Sequence, residues 1–90
     1  MKIEFDQAKR LVTFTHRGID MARAGEVFTG PTFNFADVRQ NYGEPRTITA
    51  GILDGRMVVL VWTLRGLARR IISMRKANDR EQKIYQGRLG

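Results

Sequence analysis

Eight basic side chains fall within the last 26 residues: Arg65, Arg69, Arg70, Arg75, Lys76, Arg80, Lys83 and Arg88. Only Asp79 and Glu81 oppose them, so this segment carries +6 (8 − 2) of a whole-chain +7. The first 64 residues set eight bases against seven acids and are nearly neutral. Twelve of the sixteen bases are arginine, whose planar fork matches phosphate oxygens and stays charged at any working pH. Such a cluster is the electrostatic footprint of a polyanion-binding surface. The plainer reading is a solvated basic face. Proton-transfer candidates are few. His16 is the single histidine, a residue type often used in general acid–base chemistry. Glu44 and Arg46 flank Pro45, and Glu81 and Tyr85 follow the arginine cluster.

Composition narrows the class that these residues serve. Ninety residues, 42% of them apolar and 28% charged, fit one ordinary globular domain over 1–90, burying roughly two-thirds of its unfolded surface. With no cysteine, disulfides and cysteine-ligated metals are ruled out, and a reducing, cytoplasmic setting is expected. One histidine makes an all-protein zinc site unexpected; no metal and no cofactor are anticipated. The longest apolar run, Met57 to Trp62, is far short of a membrane span. The early acids Glu4 and Asp6 do not suit a signal peptide.

The elements that must position the candidates follow from periodicity. Ile3 and Phe5 alternate around Glu4 as a short edge strand. Asp6 is placed to cap a helix whose buried stripe reads Ala8, Leu11, Val12 and Thr15, ending at Gly18. Asp20 caps a second helix with Met21, Ala24, Val27 and Phe28 inward, stopped at Gly30-Pro31. The period then changes to two. Strands are expected at Thr32–Phe35, Arg46–Leu53, Met57–Leu64 and Leu67–Met74, the last three joined by Asp54-Gly55 and Arg65-Gly66 turns. Met57–Leu64, rich in β-branched residues, is expected at the centre. Asn78 or Asp79 opens a final helix through Tyr85, with Glu81 at capping-box distance from Asn78. The expected fold class is α+β: N-terminal helices, a four-stranded antiparallel meander and a C-terminal helix, with the helices on one face. Simple alternation puts Arg69, Ile71, Ser73 and Arg75 on one side of the last strand, and Arg70, Ile72 and Met74 on the other.

Several motifs in that order resemble the BrnT family, ribonuclease toxins of type II toxin–antitoxin pairs with a RelE-like fold. They are Asp6-Gln7-Ala8-Lys9, Glu26-Val27-Phe28, Gly43-Glu44-Pro45-Arg46, Gly51, Thr63-X-Arg65-Gly66, Arg70 to Ala77 with its Ile-Ile-Ser-X-Arg core, and Glu81 with Tyr85. The resemblance spans about residues 4 to 86. One departure stands out. The family usually ends its first helix Asn-X-X-Lys-His-Gly, where this chain has Thr13, His16, Arg17 and Gly18. The histidine falls one position early, a rotation of about 100° on a helix.

The resemblance implies endoribonuclease chemistry without a metal. The 2′-hydroxyl must lose a proton, the phosphorane must be neutralised, and the leaving 5′-oxygen must gain a proton. Arg75 is the first choice for the phosphorane, with Arg65 and Arg46 in support. Glu44 or Glu81 is a candidate base; His16, Lys9 or Tyr85 is a candidate acid or a positioning group. Lys9, Arg17, Arg69, Lys76 and Arg80 are expected to bind RNA. Each has a structural reading beside it: Glu81 as a capping glutamate, Tyr85 as a packing residue, and His16 as a group favoured at a helix C-terminus. Trp62, Phe33 and Phe35 are base-stacking or core residues.

The partners implied are RNA and a cognate ribbon-helix-helix (BrnA-like) antitoxin, with operator DNA reached only through that antitoxin and no membrane. A second hypothesis is a non-catalytic basic nucleic-acid-binding or co-repressor module, supported by the displaced histidine. A plain scaffold explains neither the arginine excess nor its clustering.

Overall fold

The structure, a computed structural model, describes residues 1–89. Its elements run β1 (Lys2–Glu4), α1 (Gln7–Arg17), a 3-10 turn (Met21–Arg23) leading into α2 (Ala24–Phe28), β2 (Phe33–Ala36), β3 (Thr47–Leu53), β4 (Arg56–Arg65), β5 (Ala68–Lys76), α3 (Asp79–Tyr85) and a closing 3-10 turn (Gln86–Arg88). Local signals set the ends. Asp6 accepts from the Lys9 N–H at 3.0 Å, and Gly18 (φ 69°) closes α1. Asp54 and Gly55 both take positive φ (53° and 73°), the conformation of a two-residue type I′ hairpin. The second turn centres on Gly66 (φ 61°) and Leu67, one residue later than expected, so β4 runs on to Arg65.

The expected meander is present as β2 to β5, but the sheet has five strands in the order β1-β5-β4-β3-β2, with β4 central. It is mixed, not wholly antiparallel. β1 lies parallel to β5, pairing Ile3 with Arg69. Parallel neighbours need a long crossover, and here the whole intervening chain supplies it.

One irregularity changes the assignment of faces. Val61 pairs with Ser73, yet Trp62 pairs with Ile71, leaving Ile72 as an extra residue in β5. A bulge of this kind shifts the alternation by one. Arg70, Ser73 and Arg75, opposite Thr63, Val61 and Val59, therefore share one face. Arg69, Ile71 and Met74 share the other. The parity expected from sequence holds only up to the bulge.

Each face has its own core, which corrects the expectation of helices on one face alone. On the first, Met21, Ala24 and Val27 pack on Leu53, Val58, Leu60, Ile71 and Met74. Gly51 permits this close approach, since a Cβ there would meet Val27 Cγ1 at 2.5 Å. On the second, Ile48, Met57, Val59, Val61 and Ala77 gather with Phe35, Ile52, Ile72 and Tyr85 of α3. α3 is only seven residues long, so it covers one end of that face and leaves a cleft beside Ile48, Val59 and Val61.

α1 inverts the expected burial. Its side-chain hydrogen bonds to the rest of the fold come from two arginines. Arg17 Nη1 donates to the Met74 carbonyl of β5 at 3.2 Å, and Arg10 grips Asp20 through two bonds of 2.8 and 3.0 Å. Only Arg10 and Thr13 are half-buried, while Ala8, Leu11, Val12 and Thr15, the expected inward stripe, are exposed. The reason is positional. β1 pairs only as far as Glu4 with Arg70, so α1 covers the remaining length of β5, whose free backbone acceptors call for donors rather than methyl groups.

Candidate functional site

The bulge brings Arg75 onto the accessible face, opposite Val59 near the start of α3. There Glu81 takes it bidentately: Nη1 to Oε1 at 2.6 Å and Nη2 to Oε2 at 2.7 Å. Glu81 also completes the capping box of α3, accepting from the Asn78 N–H at 3.0 Å while Asn78 Oδ1 accepts from the Glu81 N–H. The Arg75 guanidinium holds the Glu81 carboxyl below its ordinary value, and Glu81 raises that of Arg75. A carboxylate so stabilised is a poor base near neutrality. Its structural role as anchor is what the geometry displays.

A second cation stands beside this pair. Arg39 bonds Asp37 through Nε and Nη2, both at 2.7 Å, and its charge opposes that of Arg75. The Asp37 side chain is fully buried, and the bonds from Arg39 bring its carboxyl down to about 2. Phe35, Asp37, Arg39, Ser73, Arg75 and Tyr85 line a cleft of about 360 Å³. Sequence reasoning does not single out Asp37 or Arg39. The Asp-X-Arg spacing after a strand was the available signal.

A neighbouring cleft of about 410 Å³ lies between α1 and β5, lined by Lys9, Val12, Thr13, His16, Arg17, Ile72 and Ser73. The two clefts share Ser73. Together they form a groove from His16 and Lys9, over the bulge, to Arg75 and Arg39. Despite its shifted position in sequence, His16 faces this groove, because α1 rests against β5 through its Arg10–Thr13–Arg17 side.

The other candidates separate. Glu44 accepts from Arg46 Nε at 3.1 Å and lies 3.7 Å from Arg65 Nη2, while the Arg46 guanidinium stacks 4.2 Å from the Tyr42 ring centroid. This second basic cluster sits at the far end of β4. Arg65 is six residues from Val59, the partner of Arg75, which is roughly 20 Å along a strand. Glu44, Arg46 and Arg65 thus form one group, and Arg75 belongs to another.

Arg69 lies on the opposite face, 4.2 Å from the Phe28 centroid and 4.6 Å from that of Trp62. Trp62 donates to Thr49 Oγ1 at 2.8 Å and packs against the first core. Lys76 borders clefts with Asp54 and Arg56 and with Gln82, away from the groove. Arg80 is exposed on α3. Phe33, Phe35 and Tyr85 stack on one another with centroids 5.5 to 5.8 Å apart.

Among the described residues, no helix is long and apolar enough to cross a membrane, and no group of three or more His, Cys, Asp or Glu side chains is arranged to hold a metal ion. No curated protein matches the chain. A family model described as "Ribonuclease toxin, BrnT, of type II toxin-antitoxin system" matches residues 5–81, a span that includes α1, the second basic cluster, the bulge and Arg75 with its partner Glu81. With most of its length matched in this way, the chain belongs to the BrnT family of type II toxin–antitoxin ribonuclease toxins.

Proposed function

We propose that the toxin is a metal-independent endoribonuclease whose reaction takes place in the groove between His16 and Arg75. The observation that carries this reading is the placement of the single histidine and a braced arginine along one groove, with Ser73 on its floor. RNA strand cleavage needs no outside reactant. The 2′-oxygen attacks the adjacent phosphorus as its proton leaves, the bond from phosphorus to the 5′-oxygen breaks, and that oxygen takes up a proton. The products are a 2′,3′-cyclic phosphate and a 5′-hydroxyl. Arg75, with Arg39 beside it, is suited to neutralising the phosphorane, because both are permanently charged. His16 is the side chain in the groove suited to moving a proton. Lys9 and Arg17 flank it and attract the strand. Glu81 fixes the Arg75 fork rather than acting as the base. Glu44, Arg46 and Arg65 bind a more distant stretch of the same RNA.

The +6 charge of residues 65–90 also suits neutralisation by an acidic segment of a DNA-binding antitoxin of the ribbon-helix-helix class. The test is cleavage of a labelled RNA in excess EDTA by the wild type, His16→Ala and Arg75→Ala, matched for thermal stability. The expected result is wild-type cleavage with a cyclic-phosphate product, and a loss of about 10²- to 10⁴-fold in each variant. RNA binding without cleavage by the wild type overturns the enzymatic reading. Undiminished cleavage by His16→Ala removes the groove as its site.

A further inference from the structure

α1 is docked the wrong way round for a free-standing amphipathic helix. Its side-chain hydrogen bonds to the fold come from Arg10 and Arg17, while Leu11, Val12 and Phe14 are 68%, 56% and 56% exposed. A helix of a globular protein ordinarily turns its apolar stripe toward the core, and a cluster of exposed large apolar side chains marks an interaction surface. Leu11 and Phe14, with Ala8 and the stems of Gln7 and Arg10, line a largely apolar open cleft of about 680 Å³ against Asp20. The apolar side of this helix is therefore more than half open to solvent at each of its large side chains.

We infer that this outward face of α1 is the docking surface for the antitoxin, and that it receives an amphipathic segment whose apolar anchors seat on Leu11 and Phe14 and whose flanking residues are acidic. Membership of a toxin–antitoxin family supplies a protein partner, and charge selects its chemistry. The one acid in the cleft, Asp20, is already paired with Arg10, and the chain as a whole carries +7. A second copy of this chain is a poor occupant. An isologous contact would bring together two chains of +7 each. An acidic segment meets a chain of opposite net charge.

The test uses wild-type toxin, Leu11→Glu and the charge-neutral pair Leu11→Gln with Phe14→Gln, each titrated with the antitoxin that is co-expressed with this toxin. Amide hydrogen exchange of the wild-type complex is measured in parallel. The expected result is a loss of affinity of at least tenfold for Leu11→Glu and more for the pair, unchanged RNA cleavage, and strong protection of residues 7–17 on complex formation. Wild-type affinity in both variants, or no protection of α1, overturns the proposal. Self-association of the free toxin that Leu11→Glu abolishes also overturns it, because the occupant is then a second copy. Binding and exchange are read without RNA, so an inactive groove would sink the functional reading and leave this result interpretable.

Discussion

Glu81 uses one carboxylate for two tasks: it receives both terminal nitrogens of Arg75 at 2.6 and 2.7 Å and caps the backbone N–H of Asn78 at 3.0 Å. The orientation of the arginine is therefore tied to the start of α3. Glu81→Gln keeps the shape and an oxygen for the cap but gives up the charge-assisted fork. We expect a stability loss of about 1 kcal/mol, a fall in single-turnover cleavage of tenfold or more, and RNA affinity that is unchanged or tighter, since an anion has left the groove. A parallel loss of affinity and rate would show that Glu81 contacts RNA instead of positioning Arg75. Arg75→Lys should not restore the rate, because an ammonium cannot occupy the fork.

The cluster of Glu44, Arg46 and Arg65 lies too far from Arg75 to share one phosphate. Arg65→Ala should weaken RNA binding and lower the log–log salt slope by about 0.7 for one lost single-strand contact. The saturated cleavage rate should stay close to wild type. A large drop in that rate, with affinity kept, would place Arg65 at the reacting phosphate and refute the two-cluster arrangement.

Arg69 makes the opposite prediction. Its guanidinium lies against Phe28 and Trp62 on the far face of the sheet, where a cation–π contact contributes about 0.5–1 kcal/mol. Arg69→Ala should lower thermal stability by that order and leave RNA binding and cleavage untouched. RNA affinity is the discriminating readout.

Asp37 sets an acid limit. Its carboxyl is held at about 2 by Arg39, against about 3.9 in an unfolded chain. A folded-state value below the unfolded one means that its stabilisation is complete above about pH 4 and disappears as pH falls toward 2. Melting temperature followed from pH 7 to pH 2 should show Asp37→Asn well below wild type at pH 6, with the gap closing across that acid window. A gap independent of pH would mean that the loss is one of packing, not of charge.

Short-range chemistry was legible in the chain. Asp6, Gly18, Asn78 with Glu81, and Asp54-Gly55 fixed helix ends and a hairpin where expected, because caps and tight turns involve residues three or four apart. The β-branched run of β4 marked the central strand, and the motifs from Gly43 to Arg75 pointed to the family that the matching model confirms. The arginine cluster suggested a polyanion-binding surface, and the structure spreads its arginines over both faces of the sheet.

Long-range pairing decided the rest. The Ile72 bulge left no local mark, yet it moved Ser73 and Arg75 to the face opposite Arg69, since one extra residue reverses every side chain beyond it. The periodicity of α1 announced an apolar stripe correctly and its direction wrongly. A sequence states which residues share a helix face, whereas the free edge of β5 determined that the polar face would turn inward. Asp37 and Arg39 acquired a role only when β2 and β5 placed them beside Arg75. By itself the sequence determined the elements and their chemistry. The tertiary structure alone decided which side chains meet, because register, edge exposure and helix direction depend on partners tens of residues away.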